Sequence, residues 1–297
     1  MSVTILTDSN SGITMADAEK LGVHVIPMPL YINDKLYFED LTLSQEQFYE
    51  FLEAGAAVHT SMPAPGDVMD MWDKLLAEYD EIVHIPMSSG LSSACENEII
   101  LARDEKYEGR VFVVDNQRIS VTMKQSVIDA KALADKGFSG KEIAETLYET
   151  GLDASIYITV ATMEYLKKGG RVTAAAAGIA TILNIKPVLQ IQGGKLDQFT
   201  KPRGMKAAKK DMKAAIRMDF DGRFAKFLKE NKMGLYIAYT KDKEVAEAFA
   251  EELKAEFPEI SGDIMIDPLS LSVSCHIGPG ALAVAASRII DENDIVK

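Results

Sequence analysis

Cysteine is nearly absent from this chain: 297 residues carry only Cys95 and Cys275, far apart and without metal-ligand spacing. That excludes a disulfide framework or a cysteine-built zinc site as the organising element. Cys95 falls early in a predicted helix and reads as a buried, inert thiol. Long hydrophobic runs are missing as well. The most apolar stretch, residues 174–183, is far shorter than the roughly 20 residues a bilayer-spanning helix needs, and reads as a helix packed inside the protein. No charged, apolar leader precedes the first strand, so a cytoplasmic chain without a transmembrane segment is expected. Cations are outnumbered, 32 Lys and Arg against 45 Asp and Glu for a net charge of −13, which argues against nucleic acid as a partner. Residues 195–217 hold many of those cations, so a local basic patch stays open. There is no Walker A loop, no dinucleotide glycine pattern and no Gly-Xaa-Ser-Xaa-Gly elbow. ATP and dinucleotide binding therefore have no recognisable seat, and no cofactor is expected.

What is present is an α/β pattern. Hydrophobic residues make up 47% of the chain, enough for a sizeable core, and the length suits two modest α/β domains. Strands are predicted at 3–7, 81–86 and 110–115, the last a near-continuous apolar run suited to a parallel sheet buried on both faces. An extended segment covers 23–32, held open by Pro27 and Pro29. Helices are predicted at 15–21, 44–54 with Ser44 as N-cap, 67–79, 94–106, 121–136 and 139–151. The pattern restarts after Gly151, with strands at 155–161, 234–240 and 262–266. Pro187 to Gln192 and Leu196 to Phe199 flank Gly193-Gly194, a hairpin signal. Helices are predicted at 163–168, 174–183, 205–217, 243–257 and finally 281–290. The boundary is placed at 153/154, giving an N-terminal domain over 1–153 and a C-terminal domain over 154–297.

Five segments carry chemistry. Ser88-Ser89-Gly90-Leu91-Ser92-Ser93 joins an apolar strand to a helix, the arrangement by which α/β proteins hold anions, since hydroxyls and the helix's first N–H groups can converge there. Thr60-Ser61-Met62-Pro63 is a hydroxyl pair in a proline-fixed turn. Leu166-Lys167-Lys168-Gly169-Gly170-Arg171 is a basic loop with a sharp turn. Leu183-Asn184-Ile185-Lys186-Pro187 and His276-Ile277-Gly278-Pro279-Gly280 complete the set. Singly, each reads as an ordinary turn, cap, basic loop or strand entry.

Together and in this order they resemble the DegV family, over nearly the whole chain from Asp8-Ser9 to Gly280. The resemblance implies a two-domain DegV-like α/β fold, with a parallel-sheet N-terminal domain, an α/β C-terminal domain and a long-chain fatty acid buried between them. It implies no catalysis by the chain itself: such proteins present the acyl carboxylate to a separate ATP-dependent fatty acid kinase subunit. The carboxylate-binding residues then fall on Thr60, Ser61, Ser92 and His276, with Ser93 and Gly278 close to the pocket and Arg171 and Arg203 facing the kinase. Passing contact with a membrane surface is compatible with that role. Three departures concern the head-group geometry: Ser93-Ala94 where the family has Gly-Thr, Asp115-Asn116 where it has Asp-Ser, and Met62 where glutamine is usual. Two other readings compete. A stand-alone lipid-binding or signalling module shares the pocket, and a serine hydrolase would use Ser89 or Ser92 with His276 but lacks an acid partner in sequence.

Overall fold

In a computed structural model that describes residues 2–179 and 185–296, the chain forms two compact units. One comprises Met1–Leu152 with Ile289–Lys297, the other Asp153–Arg288. The expected division at 153/154 assigns the whole C-terminus to the second domain. The structure instead returns residues 289–296 to the first, where Ile290 joins the core and its N–H donates to Asp129 Oδ2 at 3.2 Å.

The first unit is built on strands β1 (Val3–Asp8), β2 (His24–Ile26), β3 (Pro29–Ile32), β4 (Lys35–Phe38), β5 (Val58–Thr60), β6 (Glu81–Ile85) and β7 (Val111–Val113). Its main sheet runs β2-β1-β6-β7 and is parallel throughout. Successive side chains of a strand face opposite ways, so both faces must be covered. Ile5 and Val83 pack with Met123, Val127 and Leu147 on one side, while Leu6 and Ile82 pack with Trp72, Leu75 and Tyr107 on the other. The continuous apolar runs of these strands follow from that double burial. A small antiparallel sheet, β4-β3-β5, stands apart. Its β3–β4 hairpin turns through Asn33 and Asp34, both left-handed (φ 48° and 64°), a conformation Asn and Asp tolerate well. Ser44 caps helix Gln45–Glu53 through a capping box with Gln47, as its spacing predicts.

The second unit holds β8 (Ala154–Thr159), β9 (Val188–Ile191), β10 (Asp197–Thr200), β11 (Met233–Tyr239), β12 (Met265–Pro268) and β13 (Leu282–Arg288) in one sheet of order β10-β9-β8-β13-β11-β12. The Gly193-Gly194 hairpin forms as β9 and β10. The helix expected at 281–290 does not exist: β13 is a central strand, antiparallel to both β8 and β11. Its alanines favour a helix locally, but Leu282 to Ser287 are all buried. Two flanking strands satisfy every ladder position, and tertiary pairing overrides propensity. A short helix, Leu271–Ile277, precedes it instead. The apolar helix expected at 174–183 spans only Ala174–Ala177 before Gly178, and residues 180–184, including Leu183 and Asn184 of the fourth motif, lie outside the described residues. The helix expected at 94–106 stops at Leu101, and the strand expected at 262–266 is shifted to Met265–Pro268.

Three of the eight cations in the basic stretch are engaged in ion pairs. On helix Gly204–Asp221, Lys209 pairs with Glu252 at 2.9 Å, Lys213 lies 3.5 Å from Glu256, and Arg217 pairs with Glu259. Among the described residues no helix is long and apolar enough to cross a membrane.

Candidate functional site

The serine turn leaves β6 and enters helix Ala94–Leu101, and its hydrogen bonds close almost entirely on the protein itself. The Met87 N–H donates to Asp8 Oδ2 (2.8 Å) and the Ser88 N–H to the Arg118 carbonyl (3.0 Å). The Ser89 N–H donates to Asp115 Oδ1 (3.2 Å) and the Gly90 N–H to Ser88 Oγ (3.2 Å). The Leu91 and Ser92 N–H groups both reach the Ser88 carbonyl (3.0 and 3.1 Å), and the Ala94 N–H reaches Ser92 Oγ (3.2 Å). The N–H groups of Met87 to Ser92 and of Ala94 are thus engaged within the protein and are not offered to an anion. Hydroxyls remain. Ser92 is half-buried, and with its oxygen accepting from Ala94 the hydroxyl proton is still available to donate. Ser93 is exposed at the helix N-cap, makes no side-chain cap bond, and gives its carbonyl to Asn97 Nδ2 at 2.7 Å.

Asn97 connects this turn to the second hydroxyl segment, because its Nδ2 also donates to Met62 Sδ at 3.4 Å. Thr60 ends β5, half-buried and paired with Leu30 of β3, and Ser61 lies exposed at the start of the proline turn with its hydroxyl on the Met62 carbonyl (3.2 Å). Pro65 then opens helix Pro65–Leu76, a position where its missing N–H costs nothing. Two departures from the family pattern, Met62 and Ser93, are thus both in contact with Asn97. A groove of about 340 Å³ opens beside Ser61 and Met62, lined among others by Ile26, Tyr31, Phe38 and Met71.

Under the turn lies a cluster of buried groups that sequence reading passed over. Burial pushes Asp8 up to about 6, even though Met87 and Asn10 N–H groups oppose the shift. Burial likewise pushes Glu98 up to about 9, with the Asp8 charge adding to it, and takes His84 down to about 3. Trp72 Nε1 donates to His84 Nδ1 at 3.3 Å, so the neutral imidazole carries its proton on Nε2, 3.8 Å from Glu98 Oε2. That distance and those opposed shifts describe two neutral groups, not an ion pair. Burial first, then the neighbouring Asp115 and Glu98 carboxylates, raises the Cys95 thiol well above its usual range, in keeping with an inert residue. Of the other histidines, His59 is exposed and stacks on Tyr31, and His24 meets the edge of Tyr79.

In the second unit His276 sits near the end of helix Leu271–Ile277, whose existence the sequence reading missed, and packs on helix Glu164–Gly169. Gly169 is required there: a Cβ would lie 2.4 Å from His276 Nδ1. Gly278 is required for a second reason, with φ 79° and space for a Cβ only 2.3 Å from the Tyr165 ring. Burial and, secondarily, the Arg171 charge lower His276 to about 4, so it is a neutral imidazole at physiological pH. Arg171 is half-buried, and its Nη1 donates to the Gly169 carbonyl at 2.6 Å. Arg203 is exposed at the N-cap of helix Gly204–Asp221. Thr60, Ser61, Ser92 and Ser93 therefore belong to the first unit, and His276, Gly278, Arg171 and Arg203 to the second. Ser89 Oγ donates directly to Asp115 Oδ2 at 2.5 Å with no imidazole between them, which is not the Ser–His–acid relay a hydrolase needs.

The comparisons with known proteins agree with one another. The family model described as an uncharacterised protein of the DegV family matches residues 2–288. A DegV domain-containing protein of Deinococcus radiodurans is 30% identical over 291 residues, which cover 96% of this chain and 98% of that one. The solved structure of a fatty-acid-binding DegV family protein from Thermus thermophilus superposes with a TM-score of 0.87 at 28% identity, covering 97% of this chain and all of that one (100%). DegV of Bacillus subtilis, a fatty acid binding protein, has the same fold, with a TM-score of 0.83 at 24% identity over 97% of this chain and 99% of that one.

Proposed function

Because this chain belongs to the DegV family, we propose that it binds a long-chain fatty acid in a buried tunnel and presents the carboxylate to a partner fatty acid kinase. The observation that carries the reading is the Ser92 hydroxyl, held half-buried on a turn most of whose backbone donors are engaged internally. A hydroxyl of that kind donates to a carboxylate without the cost of a buried ion pair. Thr60 and Ser61, on the same unit as Ser92, supply further hydroxyls of the same character. His276, a neutral imidazole on the second unit, is the proposed head-group residue of that unit. Affinity comes from the tail, since each buried methylene is worth about 0.8 kcal/mol, and the polar head gives orientation. Holding the reacting carboxylate still is substrate positioning for an enzyme that brings the ATP.

Purified protein should release a long-chain fatty acid on denaturing solvent extraction, read by mass spectrometry. Delipidation should lower the melting temperature and added palmitate restore it, because a ligand bound only by the native state stabilises by mass action. Repeated extraction without any acyl chain, together with a melting curve that ignores palmitate, ends the reading.

Presentation to a kinase is tested at Arg171. Its guanidinium rests on the Gly169 carbonyl, next to His276. Arg171→Ala should preserve palmitate affinity of the isolated protein and sharply reduce acyl phosphate formation with limiting kinase, as loss of an interface arginine does. Arg203→Ala should show a weaker version of the same split. Equal loss in both assays would assign Arg171 to the pocket. Unchanged phosphorylation would remove Arg171 from the mechanism, and no acyl phosphate from the parent chain with kinase would favour the stand-alone lipid-binding module.

A further inference from the structure

The floor of the serine turn is a loop with no role assigned so far. It follows β7 as Asp115-Asn116-Gln117-Arg118-Ile119, and Gln117 (φ 57°) and Ser120 (φ 54°) both adopt left-handed backbone. Non-glycine residues enter that region at a cost, so surrounding bonds must over-determine the loop. Arg118 provides them. It is 3% exposed, and its guanidinium donates to the Gly151 carbonyl (3.0 Å), to Ser126 Oγ (3.0 Å) and to the Thr150 carbonyl (2.8 Å). Its own carbonyl takes the Ser88 N–H. Asp115 makes the closest contact with the turn. One carboxylate oxygen accepts the Ser89 hydroxyl at 2.5 Å, and the other accepts the N–H groups of Ser89 (3.2 Å) and Gln117 (3.3 Å). Ser88, fixed on this floor, then accepts the N–H groups of Leu91 and Ser92.

We propose that Asp115 is a positioning residue for the acyl head group: it holds Ser89, and through the Ser88 carbonyl sets where the Ser92 hydroxyl stands. The assignment rests on Ser92 as a contact of the fatty acid carboxylate. Asp115 accepts three hydrogen bonds, from Ser89 and Gln117, and its effect reaches the ligand through the turn. A carboxylate suits the place because it accepts from hydroxyl and amide together, which a methyl group cannot do and a carboxamide does only in part.

The test uses the full chain. Asp115→Ala should weaken palmitate binding about tenfold, the loss expected of one charge-assisted hydrogen bond, and Asp115→Asn should lose less. In a Ser92→Ala background Asp115→Ala should cause no further loss, because the hydroxyl it positions is gone. In delipidated protein, hydrogen exchange over residues 87–93 should quicken in both Asp115 variants while residues 120–135 keep their protection. Full additivity with Ser92→Ala, or unchanged exchange over 87–93 in both variants, overturns the proposal. If the parent chain binds no palmitate, the fatty acid reading fails by itself, and the exchange result still decides whether Asp115 holds the turn.

Discussion

At pH 9 the Glu98→Gln protein should melt on the order of 10 °C above the parent chain, and at pH 5 the two should melt nearly together. Glu98 is 3% exposed, and burial raises its carboxyl from 4.5 to about 9, with the charge of Asp8 adding to the rise. The folded chain therefore keeps a proton that the unfolded chain has already released. Stability from this group is fully present below about pH 4.5 and declines at about 1.4 kcal/mol per pH unit until the folded value is passed. Glutamine has the shape of the protonated acid and nothing to lose. Asp8, raised to about 6, and Asp129, raised to about 7 by burial, contribute declines of the same sign that are complete by about neutrality. His84 acts in the opposite sense. Its value is lowered from 6.5 to about 3, so its contribution disappears as pH falls through that interval. Among these four groups, the slope between pH 7 and 9 belongs to Glu98. Thermal melts of parent and variant at half-unit steps check this. Parallel curves across that interval would show that Glu98 is ionised in the fold.

Ser92→Ala should reduce fatty acid affinity between several-fold and about a hundredfold, the range for removing one hydrogen bond to a buried carboxylate, roughly 1–3 kcal/mol. Thr60→Val should act similarly. Valine keeps the branched shape that suits the edge position of β5 opposite Leu30, so the small sheet is preserved and the hydroxyl alone is lost. If both hydroxyls serve one carboxylate, the double variant should lose less than the sum. Affinities from palmitate titration of delipidated protein measure the three differences, and the melting temperature of the same samples reports any damage to the fold. A double variant with parental affinity would put the carboxylate elsewhere.

The chemistry-bearing turns were legible in the sequence because each consists of residues with few conformational options. Ser44 announces its helix and Gly193-Gly194 a hairpin. Where the sequence misled, local preference and tertiary pairing disagree. Ala-rich β13 looks helical until β8 and β11 close on both its edges, and helix Leu271–Ile277 is too short to leave a periodic signature. The β3–β4 hairpin was detectable, since Asn33-Asp34 is a pair that accepts left-handed backbone. The spent donors of the serine turn were not: their acceptors, Asp8, Asp115 and the Arg118 carbonyl, lie far off in sequence and converge only when β1, β6 and β7 pair. The neutral pair His84 and Glu98 is hidden for the same reason, being two unremarkable polar letters until burial gives them meaning.

The return of residues 289–296 to the first unit has a consequence for biogenesis. A ribosome makes Met1–Leu152 first, yet the core of that unit includes Ile290 and is packed by Ile295, and the Val296 N–H donates to Thr146 Oγ1. Asp129 meanwhile keeps one carboxylate oxygen waiting for the N–H of Ile290. The portion synthesised first is thus the portion completed last. Until the whole of Asp153–Arg288 has emerged, the nascent chain holds an unfinished core, open on the flank that residues 289–296 will cover. Asp153 and Arg288, which bracket the second unit, are joined by an ion pair of 2.9 Å and a backbone hydrogen bond of 2.8 Å. Closure of that unit brings residue 289 back beside residue 152, so its folding delivers the missing piece.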